Sequence, residues 1–191
     1  MRATRAGQSA LLLLDAAQIL RDEEIDYAVI GAFALSIYGV VRASTDADAL
    51  LWTTAKRLAK LRTIFNRAGF TAELRRGDAD DPVPALLVLT DKHANQVDLL
   101  GGLRGMDPQF LDRTVEIQFL GEPLRFVGRE DFIAMKCFAG GPQDLLDAQS
   151  AYTHAQAPVN TDLLRMLTRR FGRIAADNLE KLVATSTTGQ K

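Results

Sequence analysis

The sequence has little cysteine and little histidine, and each shortage excludes a class of metal site. A single cysteine among 191 residues, Cys137, excludes an internal disulfide and a zinc site built from cysteines. Only two histidines, His93 and His154, are present, which argues against a histidine-rich metal site. Any metal must then be held by carboxylates, and these favour a hard cation such as magnesium.

The chain also has almost no net charge and no long apolar run. Lys and Arg number 23 against 24 Asp and Glu, which excludes a globally basic nucleic-acid coat protein. No apolar run approaches the roughly 18 residues that cross a bilayer. Near the start, the apolar run 11–14 ends at Asp15 and is too short for the core of a signal peptide. We therefore expect a soluble, cytoplasmic protein that does not bind a membrane.

The order of helical and strand patterns predicts an α+β fold. We expect a mixed sheet flanked by helices in residues 1–128, followed by a small C-terminal helical bundle in residues 129–191. Strands are predicted for residues 27–30, 46–52, 70–75, 85–89, 96–100, 115–119 and 124–127. Helices are predicted for residues 9–24, 32–38, 54–68 with Thr53 as the cap, 129–138, 143–153, 161–170 and 173–184.

Two aspartates on one predicted strand are the strongest chemical signal. Asp46 and Asp48 lie two residues apart, so both carboxylates point to the same face of the strand. Adjacent like charges repel unless a cation lies between them, and magnesium is commonly held by a few carboxylates together with substrate phosphates. A third carboxylate, Asp98, lies on the predicted strand 96–100, which we expect beside the first strand. Three such carboxylates can hold two magnesium ions, although an Asp-x-Asp triplet alone is also typical of a polar strand end.

The residues before this strand suit a phosphate ligand. Gly31 allows a tight turn and a close approach of the backbone. The helix that starts near Ala32 would offer free N–H groups to an anion. Arg42 could add a charge-assisted contact.

Taken together, these residues resemble the signature of the DNA polymerase beta-like nucleotidyltransferase superfamily. The similarity is greatest to the small bacterial branch related to abortive-infection and type IV toxin–antitoxin nucleotidyltransferases. It departs from that branch in Ala32, which replaces the second glycine, and in Ser44, which stands at the usual Thr position. A weaker similarity, to a helical element with a Lys and paired Asp residues, covers residues 130–147. The motif reads Gly31-Ala32-Phe33-Ala34, then Tyr38-Gly39, then Arg42-Ala43-Ser44-Thr45-Asp46-Ala47-Asp48.

The resemblance implies a magnesium-dependent transfer of a nucleoside monophosphate from an NTP to a hydroxyl group, with release of pyrophosphate. The acceptor would be a protein, an RNA or a small molecule. Asp46 and Asp48 would carry two Mg²⁺ ions, and Asp98 would complete the second metal site and help to activate the acceptor. The nucleotide-binding residues would be Gly31, Ala32, Arg42, Ser44, Thr45 and Lys136.

Two other functions stay open at this point. A non-catalytic module of the same fold would bind a nucleotide or a partner protein, for instance within a toxin–antitoxin pair. An enzyme of the aminoglycoside-nucleotidylating kind would need an acidic acceptor pocket, for which Asp78, Asp80 and Asp81 are candidates.

Several charged residues have both a functional and a structural interpretation. Lys136 either neutralises phosphate or forms an ion pair with Asp144. Trp52 is expected to pack in the core. A C-terminal arginine cluster is either a solvated helix face or a surface for RNA or a cognate antitoxin. That cluster consists of Arg165, Arg169, Arg170 and Arg173.

Overall fold

A computed structural model of the chain describes residues 1–42, 44–154 and 157–188. The strands are β1 (Tyr27–Ile30), β2 (Asp46–Leu51), β3 (Thr71–Arg76), β4 (Ala85–Thr90), β5 (Gln96–Leu100), β6 (Val115–Phe119) and β7 (Glu122–Phe126). The helices are α1 (Ser9–Asp22), α2 (Gly31–Ile37), α3 (Ala55–Arg67), α4 (Arg129–Ala139), α5 (Pro142–Thr153), α6 (Thr161–Arg170) and α7 (Arg173–Thr188), with a 3₁₀ helix at Pro108–Arg113.

The strands form one mixed sheet in the order β3-β4-β5-β2-β1-β7-β6. The β2–β5 and β1–β7 pairs are parallel, and the other neighbouring strands are antiparallel. Four helices, α4 to α7, follow the last strand. The predicted fold class, a mixed sheet flanked by helices and followed by C-terminal helices, is confirmed.

Alternate residues of the central strands have different environments. Ala47 and Ala49 of β2, and Val97 and Leu99 of β5, are fully buried. Helix α1 packs against β2, β5 and β7, and α3 packs against β3 and β4. Because side chains alternate across a strand, the intervening residues of β2 and β5 lie on the opposite face of the sheet. That opposite face carries the three predicted site aspartates.

Two details of the central region differ from the sequence prediction. The cap of α3 is Thr54, whose hydroxyl accepts from the backbone N–H of Arg57 at 3.2 Å. The prediction of Thr53 as the cap is wrong by one residue. Trp52 has 46% of its surface exposed, so its predicted place in the core is also wrong. The strand ends at Leu51, and Trp52 therefore lies beyond the alternation that buries its neighbours.

The chain divides into two compact units. Unit 1 holds the whole sheet together with α1 and α3, and unit 2 holds the 3₁₀ helix and α4 to α7. Unit 1 comprises Met1–Phe33, Ala43–Arg104 and Val115–Phe126, and unit 2 comprises Ala34–Arg42, Gly105–Thr114 and Val127–Lys191. The sequence-based division after residue 128 stays a prediction.

Unit 2 has its own core and a buried ion pair. Phe138 stacks on Phe171 with ring centroids 4.9 Å apart, and Phe132 and Leu164 are almost fully buried. Arg113 binds the buried Asp131 through two hydrogen bonds of 2.6 and 2.8 Å. This fork geometry adds directional specificity to the packing of apolar side chains. Among the described helices, none is both long enough and apolar enough to cross a membrane.

Candidate functional site

The three predicted site aspartates lie together on one face of the sheet in unit 1. The parallel register pairs Asp48 with Asp98 and Asp46 with Gln96 across β2 and β5. Each of the three aspartates is partly exposed, whereas the residues between them are fully buried. The predicted placement of strand 96–100 beside the Asp-x-Asp strand is therefore confirmed. We refer to Asp46, Asp48 and Asp98 as the carboxylate face.

The surroundings of Asp98 raise the pKa of its carboxyl group. Partial burial raises the pKa of Asp98, and the negative charge of Asp46 raises it further. The side-chain amide of Gln96, which donates to Asp98 at 2.9 Å, and the charge of Arg75 only partly offset this effect. A carboxyl group with a raised pKa binds a proton more readily than an isolated one.

The glycine of the motif lies directly against this face. Gly31 has a φ of +66°, a conformation that favours glycine. A Cβ added to Gly31 would collide with the carboxylate of Asp48, lying 3.1 Å from its Cγ. The turn therefore brings backbone and carboxylate closer than any side chain at position 31 would allow. Ala32, the next residue of the motif, is 4% exposed.

Hydrogen bonds hold the segment that leads into β2. The Ser44 hydroxyl donates to the backbone carbonyl of Asp46 at 2.8 Å. The Ser9 hydroxyl donates to the backbone carbonyl of Thr45 at 2.5 Å. These contacts fix the start of the Asp-x-Asp strand. Ala43, which also belongs to the motif, lies outside the described residues.

The predicted cationic residues Lys136 and Arg42 lie in unit 2, where both meet a buried carboxylate. The Lys136 ammonium is 2.7 Å from Asp144 and 3.0 Å from Asp147. The Asp147 side chain is only 2% exposed, and it lies 3.5 Å from Arg42 and accepts from Gln143 at 2.9 Å. The ion pair proposed for Lys136 from the sequence is thus present. The nucleotide-binding roles of Lys136 and Arg42 stay predictions.

The carboxylate face has the type of donor atom that a magnesium ion prefers, but the described side chains are not grouped as a set of three metal ligands. Oxygen donors on one face suit a hard cation. Partial burial, together with the negative charge of Asp46, raises the pKa of Asp98. Within residues 1–42, 44–154 and 157–188, however, no three Asp, Glu, His or Cys side chains are grouped so as to hold a metal ion. Asp46, Asp48 and Asp98 therefore suit the ion in two respects: they offer carboxylate oxygens, and they share one face of the sheet.

Much of the C-terminal arginine cluster contacts other groups of unit 2. Arg165 lies 2.8 Å from Glu180, and Arg173 lies 3.8 Å from Asp177. Arg170 donates to the backbone carbonyls of Gly105 and Met106 at 3.3 and 3.4 Å. A role of this cluster in binding RNA or an antitoxin stays a prediction.

Sequence reasoning did not connect two further charged residues with the sheet face that carries the aspartates. Glu73 and Arg75 lie two residues apart on β3 and therefore share a face. Glu73 pairs with Val88 of β4, and Val88 pairs with Asp98 of β5, so this face continues to Asp98. Arg75 forms hydrogen bonds of 2.9 and 3.0 Å to Glu73. The spacing of positions 73 and 75 indicated a shared face, but only the strand order reveals which face it is.

Comparison with known proteins relates this fold to solved structures. No protein-family model matches the chain, and no curated protein matches its sequence. The antibiotic-resistance factor ANT(2'')-Ia superposes with a TM-score of 0.59 at 13% identity, covering 96% of this chain and 98% of the other. The same factor in complex with adenylyl-2''-tobramycin gives 0.50 at 16%, covering 96% and 99%. An antigenic nucleotidyltransferase-like protein from Paracoccidioides brasiliensis gives 0.55 at 14%, covering 98% and 91%.

These similarities define the class of fold. The chain has the nucleotidyltransferase fold, with the sheet and the helices that follow it covered almost end to end. Sequence identity of this size establishes the fold alone. The relation to the abortive-infection and toxin–antitoxin branch stays a prediction.

Proposed function

We propose that this protein is a nucleotidyltransferase that moves a nucleoside monophosphate from an NTP to a hydroxyl acceptor. The observation that carries the proposal is the carboxylate face, in which Asp48 and Asp98 are register partners and Asp46 lies two residues from Asp48. Its occurrence on a nucleotidyltransferase fold supports the same conclusion. Fold similarity alone would not suffice, since function depends on the site.

The reaction gives one task to Asp98 and another to the pair Asp46 and Asp48. The acceptor oxygen forms a bond to the α-phosphorus of the NTP, the bond to the bridging oxygen breaks, and pyrophosphate leaves. Asp98 is suited to take the proton of the acceptor hydroxyl, because its raised pKa makes it a stronger base than an ordinary aspartate. Asp46 and Asp48 would hold Mg²⁺, which when bound supplies charge neutralisation for the phosphates.

Close approach of the backbone at Gly31 supports an adjoining nucleotide site. Its φ of +66° and its contact with Asp48 leave no room for a side chain between the turn and the carboxylate. We assign Gly31 and Ala32 to the triphosphate. We assign Arg42, Ser44, Thr45 and Lys136 to the nucleotide as well, following the resemblance of the motif.

Transfer of label from an α-³²P-labelled NTP in the presence of magnesium tests the proposal. The acceptors would be a cell extract, an RNA pool and a panel of hydroxyl compounds. We expect the Asp46→Asn/Asp48→Asn variant to lose about 100-fold or more, since charge stabilisation of this kind is worth several kcal/mol. The matched control is Asp112→Asn/Asp162→Asn, which removes the same charge from two exposed positions of unit 2. Equal incorporation by all three proteins would contradict the proposal.

A non-catalytic nucleotide- or protein-binding module is the second candidate. Two observations favour it: Lys136 is already ion-paired, and the described residues lack a closed group of three metal ligands. Calorimetry separates the candidates. Magnesium-dependent NTP binding without release of pyrophosphate, with any acceptor, would favour the binding module, including a role beside a cognate antitoxin.

A further inference from the structure

We infer that Ser9 is a positioning residue that sets the geometry of the carboxylate face. The inference rests on the proposed function, because it assigns to Ser9 the alignment of the groups that would carry the transfer. Ser9 is the first residue of α1, and only 3% of its surface is exposed. It lies in unit 1 together with the carboxylate face, and it acts through the backbone of β2 and β5.

The Ser9 hydroxyl joins the two strands of the carboxylate face at one end. It donates to the backbone carbonyl of Thr45 at 2.5 Å and accepts from the backbone N–H of Gln96 at 3.1 Å. Thr45 directly precedes Asp46, and Asp46 is the register partner of Gln96. One oxygen atom therefore bridges β2 and β5 at the first register pair of the carboxylate face.

This bridge controls how far apart the two strand ends lie. Without the hydroxyl, the Thr45 carbonyl and the Gln96 N–H would be free to close on each other or to separate and bind water, because backbone polar groups require a partner. Either change would move Asp46 relative to β5. The spacing of the two strands at this end is therefore a property of Ser9 as well as of the sheet.

The same bridge reaches the carboxylate of Asp98. Gln96 and Asp98 lie two residues apart on β5 and share a face, and the side-chain amide of Gln96 donates to Asp98 at 2.9 Å. A shift of the Gln96 backbone changes the donor that orients the proposed base, whereas a shift of Thr45 moves Asp46. Ser9 thus affects the metal-binding and the proton-accepting side of the proposed reaction together.

Ser9 is itself held in place by the residue before it. Gln8 donates its backbone N–H to the side chain of Asn95 at 2.6 Å. Asn95 is 1% exposed, and its side-chain amide donates to Asp91 at 2.8 Å and to the backbone carbonyl of Arg5 at 2.9 Å. The start of α1 is therefore docked on the turn between β4 and β5, and the hydroxyl acts from a fixed position.

Ser9→Ala tests the inference against a control variant that removes a buried hydroxyl elsewhere. Thr168 is fully buried in unit 2, and its hydroxyl donates to the carbonyl of Leu164 in its own helix, α6, at 2.8 Å. We expect Ser9→Ala to lower kcat of label transfer about tenfold, since small misplacements of reacting groups are costly. The KM for the NTP should change less than about twofold, because Ser9 acts on the carboxylates and not on the residues assigned to the triphosphate. Thr168→Val should lower the unfolding temperature but leave both constants unchanged, and equal kcat in the two variants would overturn the inference.

Amide hydrogen exchange in the wild type gives a second measurement that depends on no variant. The Gln96 N–H should exchange at least about tenfold more slowly than an amide without a hydrogen bond, because it donates to Ser9. That protection should fall in Ser9→Ala and persist in Thr168→Val. Unprotected exchange of Gln96 in the wild type would also overturn the inference.

Binding of Mn²⁺ separates this inference from the proposed function. Mn²⁺ takes the same oxygen ligands as Mg²⁺ and broadens the NMR signals of nearby amides. We expect Ser9→Ala to need at least about fivefold more Mn²⁺ than the wild type or Thr168→Val for the same broadening at residues 46–48 and 96–98. A protein that transfers no label but shows this difference would refute the enzyme and retain the role of Ser9. An active protein in which Ser9→Ala leaves both transfer and Mn²⁺ binding unchanged would retain the enzyme and refute the role of Ser9.

Discussion

Gly31 determines at the scale of one residue how closely the backbone approaches the carboxylate face. Its positive φ and the closeness of Asp48 act together, so a side chain at this position would strain the backbone and displace the Asp48 carboxylate. Ala32, in contrast, follows it in the helix without such a demand, which explains why alanine is accepted where the related motif has a second glycine.

Gly31→Ala is expected to reduce nucleotidyl transfer about 100-fold, because the new Cβ displaces Asp48 and small displacements at a reacting centre are costly. The left-handed backbone adds about 1–2 kcal/mol of destabilisation. Gly7→Ala is the matched control, since Gly7 has a φ of +78° and no atom near its added Cβ. Thermal unfolding and label transfer should show similar stability losses in the two variants but a loss of activity only in Gly31→Ala.

Asp98 is expected to reduce stability at neutral pH in exchange for reactivity. The pKa of Asp98 in the folded chain lies above the ordinary value of 3.8. Between pH 3.8 and that raised pKa, the folded state therefore binds more protons than the unfolded state. Stability therefore falls as the pH rises through that window. Asp98→Asn should unfold at a higher temperature than the wild type at pH 7 and at about the same temperature below 3.8, while losing transfer.

The control for this pH effect is the exposed Asp112, whose replacement by Asn should alter the unfolding temperature little at either pH. A lower unfolding temperature of Asp98→Asn at pH 7 would contradict the argument from burial.

At the scale of elements, helices α4 and α5 are joined through a buried charge. Asp147 is enclosed by unit 2, and Lys136 reaches it from α4 across to α5 at 3.0 Å. A buried carboxylate that loses its partner costs much more than the pair itself contributes.

Lys136→Met should destabilise the protein by about 3–5 kcal/mol, because it leaves Asp147 buried without its main cation. Adding Asp147→Leu should restore most of that loss. Lys60→Met is the control, because the exposed pair of Lys60 with Glu23 contributes at most about 1 kcal/mol. Urea unfolding checks all three. A double variant no more stable than Lys136→Met would contradict the buried-charge explanation.

The positions of the helices and strands along the chain were largely predictable from the sequence, but the order of the strands in the sheet was not. The alternation of β2 and the helical period of α6 are local patterns, and β1, β5, β6 and α6 have the predicted bounds. The shared face of Asp46 and Asp48 followed from the same periodicity. The approach of Arg75 to Asp98 depends on β4 lying between β3 and β5, and that order is a long-range choice that no local spacing encodes. The contact of Arg42 with Asp147 spans more than half of the chain and was equally hidden.

At the scale of the whole molecule, the chain passes repeatedly between the two units. Each unit consists of three separate segments, so the chain of each unit is interrupted by segments of the other. When one unit unfolds, the segment ends that it held in the other unit lose their anchor. We expect the two units to unfold in one cooperative transition.

Two single residues report on this transition. Trp52, the only tryptophan, lies in unit 1, and Cys137, the only cysteine, is buried in unit 2. Burial raises the pKa of the Cys137 thiol to about 12, so it should react with a disulfide reagent only after unit 2 opens. Urea titrations followed by Trp52 fluorescence and by Cys137 labelling should share one midpoint. Two separated midpoints would show that the units unfold independently.

The strand order also sets the sequence of events during synthesis. The carboxylate face needs only β2 and β5, so its strands have left the ribosome soon after residue 100. Strand β1 pairs with β2 on one side, but its other neighbour is β7, which ends at Phe126. An unpaired strand edge is a template for incorrect pairing. The nascent chain therefore carries the open edge of β1 through most of the translation of unit 1, and closes it only when the last hairpin emerges.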